Sequence, residues 1–142
     1  MSRQLHAQAV IDRLKAAPGT PAAEVYDGKV PDNITPPPQY YVVRFGFRKL
    51  TGTESPGTTS LTMDSVTYQV DVTVHCVGTD ARSTRGVATR AEAQLLNWRP
   101  TVAGRTCTRL KQIESTTLPP NESMGVSVEQ QSDVYRFLSQ PA

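Results

Sequence analysis

The sequence predicts an α+β fold: a single domain over residues 1–142, with two helices packed on one face of a mixed, mostly antiparallel sheet of four to five strands. Three observations carry that expectation. Residues 65–76 alternate six apolar with six polar side chains at period two, the mark of a long strand with one buried and one open face. Ala7, Val10, Ile11 and Leu14 recur at i, i+3, i+4 and i+7, so residues 3–16 form a helix with one apolar face. A second helical stripe, Val87, Ala91, Leu95 and Trp98, follows the long strand directly. At 142 residues, one core can form without metal or disulfide staples.

The elements follow in order. Ser2 caps the first helix, Lys15 suits its C-terminal end, and Pro18-Gly19 stops it. Its polar face carries Arg3, Gln8, Asp12 and Lys15, and His6 reads as a solvated residue of that helix. Residues 18–38 hold six of the eleven prolines, so most of this stretch is shaped loop. Within it, residues 23–27 form a short strand that ends in an Asp27-Gly28 turn. Pro36-Pro37-Pro38 is a stiff extended connector into the second strand, residues 40–48. There Tyr41, Val43, Phe45 and Phe47 share one face, and Tyr40, Val42, Arg44 and Gly46 the other.

Residues 50–62 are rich in threonine, serine and glycine, with Glu54 as their one charge. A polar segment of this length between two strong strands reads as a protruding hairpin arm. The third strand spans 64–77. Thr79 or Asp80 caps the second helix, residues 80–98, which Pro100 ends. Gly86 inside it signals close packing or a break, because glycine costs roughly 1 kcal/mol relative to alanine in a helix. A fourth strand spans 105–114, Leu118-Pro119-Pro120-Asn121 is a turn, and the last strand lies within 126–138. Val134, Tyr135, Phe137 and Leu138 supply its apolar area.

The chemistry-bearing residues are sparse. His6 and His75 are the two histidines and hence the natural general bases. His75 adjoins Cys76, but neighbours on a strand point to opposite faces and cannot form a dyad. Cys76 falls on the apolar face and reads as a small core residue, with Cys107 similar. There is no HExxH, CxxC, acidic calcium loop or glycine-rich phosphate loop. Asp64, Asp71, Asp80 and Glu92 are scattered, which gives paired-carboxylate chemistry no support. No enzyme activity, cofactor or metal is expected. The N-terminal segment lacks the apolar run of a secretory signal, and no segment approaches 18 consecutive apolar residues. A cytoplasmic folding compartment with reduced thiols is the expectation.

Charge is uneven along the chain. Residues 81–113 carry seven basic side chains against Glu92 alone, a local balance of +6. Residues 1–80 balance at −1 and residues 114–142 at −3, which together give the net +2. Such a basic middle third faces solvent, a neighbouring subunit, nucleic acid or an acidic partner. Aromatic residues are not interleaved there apart from Trp98, which argues against single-strand stacking.

Several stretches occur together in a suggestive order. They are the N-terminal amphipathic helix, then Val25-Tyr26-Asp27-Gly28-Lys29-Val30-Pro31, then Pro38-Gln39-Tyr40-Tyr41-Val42-Val43. The alternating run Tyr68-Gln69-Val70-Asp71-Val72-Thr73-Val74-His75-Cys76 leads straight into a helix, and a late strand carries Thr108-Arg109-Leu110. In order, spacing and length this chain resembles the tail terminator, or tail completion, proteins of long-tailed non-contractile bacteriophages, over roughly residues 3 to 138.

That resemblance implies a virion protein at the tail–neck junction, made in the bacterial cytoplasm. It implies a six-membered ring that caps the tail tube, stops its growth and meets the head-closure proteins of the neck, with double-stranded DNA passing through. Partners would then be further copies of the chain, the tail tube protein and a head-closure protein, with no membrane. On loop exposure and charge, the interface candidates are Lys49, Thr51, Glu54, Ser55, Pro56, Thr58 and Thr59 of the arm and its base, Asp71 and His75 of the third strand, and Arg82, Arg85 and Arg90 of the second helix. Candidates to face DNA, the lumen or an acidic partner are Arg99, Arg105, Arg109 and Lys111. The alternative readings are a head–tail connector or head-closure protein and, in another class, a basic double-stranded-DNA-binding module built on the second helix, which lacks a recognised DNA-binding motif.

Overall fold

The computed structural model describes residues 3–17, 24–50, 67–121 and 128–141. The cap at Ser2, the stop at Pro18-Gly19 and the arm beyond Leu50 lie outside the described residues. The elements are α1 (Arg3–Lys15), β1 (Glu24–Asp27), β2 (Tyr40–Lys49), β3 (Tyr68–Gly78), α2 (Ala81–Leu95), β4 (Arg105–Cys107), β5 (Lys111–Asn121) and β6 (Val128–Pro141). They form the expected α+β fold, with a six-stranded sheet in the order β1-β2-β3-β6-β4 and β5 also pairing with β6. β1 runs parallel to β2, and all other pairs are antiparallel.

The period-two pattern of β3 sets the layers. Tyr68, Val70, Val72, Val74 and Cys76 are buried, and the residues between them are half-buried on the open face. Register carries that division across the sheet. Val43 of β2 and Asp133 of β6 flank Val74, and Phe47 and Phe137 flank Val70. Both helices cover this inner face, and Val10, Ile11, Leu14, Val87, Ala91 and Leu95 join the strand residues in one core. The Tyr41 hydroxyl, deep in that core, donates to the Val87 carbonyl at 2.8 Å and ties β2 to α2.

Four boundaries differ from expectation, each because a distant contact overrides a local signal. β6 runs to Pro141 and not to residue 138, because its last three residues pair with β4. α2 ends at Leu95 and not at residue 98. Leu96 is extended, Asn97 takes a left-handed φ of 63°, and the Asn97 N–H and Trp98 carbonyl pair with the carbonyl and N–H of Leu110. Trp98 therefore lies beyond the helix, half-buried against the core under the Arg13 guanidinium, 5.5 Å from its ring. The expected strand 105–114 is two strands, interrupted at residues 108–110 by this same pairing. Residues 118–121 form the end of β5 and not a turn. Its register with β6 skips from Leu118 to Asn121, across two prolines that have no N–H to give, and an edge strand tolerates this.

Asp80, one of the two expected caps, accepts the Ser83 N–H at 2.6 Å and starts α2. Gly86 neither packs closely nor breaks the helix. A Cβ built there meets nothing within 4 Å, and the helix runs straight through it. Gly86→Ala is therefore expected to stabilise the fold by about 0.7 kcal/mol. A thermal melt should show a rise of roughly 2 °C, and a fall would mean that something outside the described residues packs on that position.

Candidate functional site

The interface candidates sort by face. Asp71 and His75 lie on the open face of the sheet, with Asp71 held in a two-pronged ion pair by Arg136 at 2.7 and 3.3 Å. His75 borders a shallow groove of about 200 Å³ with Tyr40, Val42, Arg44, Val77 and Gln130. Lys49 ends β2 and is exposed. Thr51, Glu54, Ser55, Pro56, Thr58 and Thr59 lie outside the described residues. Arg82 and Arg85 project from the first turns of α2 and are exposed. Arg90 is a strap: its guanidinium donates to Gln39 Oε1 at 2.6 Å, and Gln39 Nε2 donates to Ser83 Oγ at 2.7 Å.

The second set of candidates does not converge on one basic face. Arg99 and Lys111 are exposed. Arg109 donates to the Asn97 carbonyl at 2.8 Å, and Arg13 of α1 donates to the Gln94 carbonyl at 3.0 Å. Both complete the C-terminal end of α2, which has no basic residue of its own in the last turn. Arg105 corrects the expectation outright. It is only 8% exposed, its Nε donates to Ser139 Oγ at 3.0 Å and its Nη2 to the Ser139 carbonyl at 2.7 Å. A side chain so placed cannot face a lumen or DNA. Arg82 and Arg99 flank opposite ends of the 15-residue α2, about 22 Å long, so the basic third is divided in space.

His6 is the other correction. It is fully buried, with Nε2 2.8 Å from Ser139 Oγ. Its ring lies edge-on to Phe47 and stacked on Phe137, with centroids 6.0 and 6.3 Å away. His6, Arg105 and Ser139 thus form a polar node in the core, joining α1, β4 and β6. The signal for half of it was present: with Tyr135 and Phe137 inward, period two also turns Asp133 and Ser139 inward.

Nucleophilic chemistry finds no support among the described residues. His75 and Cys76 fall on opposite faces. Burial pushes the Cys76 thiol well up, reinforced by Asp133, and burial also raises Cys107. Both thiols are free. Cys107 pairs with Ser139, which pairs with Tyr68, eight residues along β3 from Cys76. That offset, roughly 27 Å, places the two sulfurs far beyond disulfide range. An open groove of about 430 Å³ runs between α1 and β2, bordered by Arg3, Asp27, Arg44, Phe45 and Phe47. Exposed large apolar residues (Leu5, Ile34, Leu96 and Ile113) are scattered along the chain. No described helix is long and apolar enough to cross a membrane.

Burial, then the Arg44 guanidinium, holds the His75 imidazole below its ordinary 6.5. The folded state therefore binds this proton less readily than the unfolded chain. The resulting stability is complete above the unfolded value and is lost as pH falls through the folded one. Urea midpoints measured from pH 7.5 to 5 should fall more for the wild type than for His75→Gln. Parallel curves would remove His75 from the account.

Comparison with known proteins gives similarity of fold without close sequence similarity. No protein-family model matches the chain, and no curated protein matches it significantly. A chain from the virion of a native gene transfer agent particle is similar over 97% of this chain and 98% of its own length, with a TM-score of 0.68 and 11% identity. A second solved chain is similar over 100% of this chain and 98% of its own, with a TM-score of 0.67 and 21% identity.

Proposed function

We propose that this chain is a structural subunit of a tailed virion, assembling as a hexameric ring that caps the tail tube, ends its growth and joins the tail to the head and neck. The observation that carries the reading is the end-to-end agreement of fold with a gene transfer agent virion chain, in which almost no residue of either is left over. The order of motifs along the sequence points the same way. So does the distribution of side chains: one sheet face is closed by helices, while the other is left half-buried with polar and charged groups available to a neighbour. The partners in this reading are further copies of the chain, a tail tube protein and a head-closure protein, with double-stranded DNA crossing the ring. No catalysis or cofactor forms part of it.

The division of the basic residues weighs against the DNA-binding module. Arg90, Arg105 and Arg109 serve the subunit's own fold, which leaves Arg82, Arg85, Arg99 and Lys111 as the surface cations of the basic third. The deciding experiment is electron microscopy of particles assembled with this gene deleted. Overlong or ragged tails unattached to filled heads are expected. Normal-length tails beside leaky or empty heads would move the subunit up the stack to a connector or head-closure position.

A further inference from the structure

A small polar cleft lies between α2, β5 and β6. Its volume is about 210 Å³, below the roughly 300 Å³ at which small-molecule sites begin. Arg85 and Glu92 of α2, Gln112 and Ser115 of β5, and Gln131 and Asp133 of β6 line it. Asp133 is 2% exposed. Ser115 Oγ donates to it at 2.6 Å and Gln131 Nε2 at 3.1 Å, both to Oδ1. Among the described residues no donor reaches Oδ2, and no cation pairs with the carboxylate, although Arg85 borders the same cleft. A buried group beside it lacks a partner among the described residues. Tyr135 is fully buried and its hydroxyl has no partner among the described residues; burial, then the charge of Asp133, pushes its ionisation well up.

Buried carboxylates persist when a cation or a full set of donors meets them. Here both donors meet Oδ1, and the residue borders a space the size of one long side chain. We propose that the cleft receives an arginine or lysine side chain from a second copy of this chain, whose N–H groups complete Asp133 at Oδ2. The proposal rests on the ring reading. In a ring, one surface of each copy meets a different surface of the next. The chain supplies the matching charge elsewhere on its surface. Arg48, Arg99 and Lys111 are exposed, engage no partner among the described residues and lie outside the cleft lining.

The test uses the full-length chain in sedimentation velocity over a wide concentration range, with melting temperatures taken at a dilution where it is monomeric. The wild type is expected to assemble. Asp133→Asn is expected to raise the assembly midpoint at least tenfold, with the dilute melting temperature unchanged or higher because an uncompensated charge has gone. One of Arg48→Gln, Arg99→Gln and Lys111→Gln is expected to reproduce that loss. Should Asp133→Asn melt early, these three surface variants decide alone. Wild-type assembly by Asp133→Asn, or by all three surface variants, overturns the cleft proposal and leaves the ring standing. A wild type that stays monomeric throughout overturns the ring itself, and the cleft proposal with it.

Discussion

Gly78→Ala is expected to destabilise the fold by about 3 kcal/mol, the combined scale of an overpacked contact and a lost helix cap. Gly78 ends β3 where the chain turns into α2. A Cβ there would lie 2.7 Å from Thr84 N, 2.8 Å from Thr84 Oγ1 and 2.9 Å from Ser83 Oγ. None of these atoms is a free side-chain end. Thr84 N and Oγ1 both donate to the Asp80 carbonyl, at 3.0 and 2.8 Å, and Ser83 Oγ accepts from Gln39. The methyl group must therefore push away the first turn of α2, and with it the Asp80 cap. Backbone freedom is not the reason, because Gly78 is not among the positive-φ glycines. At an unstrained site the same change stabilises, as expected for Gly86. Urea unfolding of the two alanine variants side by side should therefore give opposite signs. A neutral Gly78→Ala would show that α2 sits less firmly on the end of β3 than these distances state.

What the sequence made legible was the part of the fold written in local period. Ala7, Val10, Ile11 and Leu14 are all buried, and β3 alternates as its residues do. What it hid depends on residues far apart in the chain. His6 lies on the same helical stripe as Val10 and Leu14, yet an imidazole in isolation reads as solvated. Its partner, Ser139, is 133 positions away. Arg105 reads as a surface cation for the same reason. The end of α2 and the split between β4 and β5 share one cause, the pairing of residues 97 and 98 with Leu110, which no local propensity encodes. A charge count treats arginines as equivalent. The fold sorts them into helix-end donors, a strap, a core group and free surface. Asp133 could have been found from the inward parity of Tyr135, but the donors that meet it, Ser115 and Gln131, could not.

Ser139→Ala is expected to cost about 3 kcal/mol, although it removes a single oxygen. That hydroxyl meets His6 Nε2 at 2.8 Å and accepts the Arg105 Nε–H at 3.0 Å. Deleting it removes neither neighbour, and both stay enclosed by Phe47, Phe137 and Tyr68, with less to bond. Leaving a buried group without its partner costs about 1–3 kcal/mol, more where the group is charged, and here two groups lose one. Arg105 keeps its 2.7 Å bond to the Ser139 carbonyl, which places the effect at the lower end. The same reasoning requires strong non-additivity. Once the serine hydroxyl is gone, Arg105→Met no longer breaks that shared bond, so the double variant should be more stable than the sum of the single losses by at least about 1 kcal/mol. A urea double-mutant cycle measures this directly, and strict additivity would mean that the node is three independent side chains. Hydrogen exchange gives the structural counterpart. His6 ties α1 to β6, so the amides of α1 should lose protection in Ser139→Ala before those of β3, which is held on both sides by long antiparallel ladders.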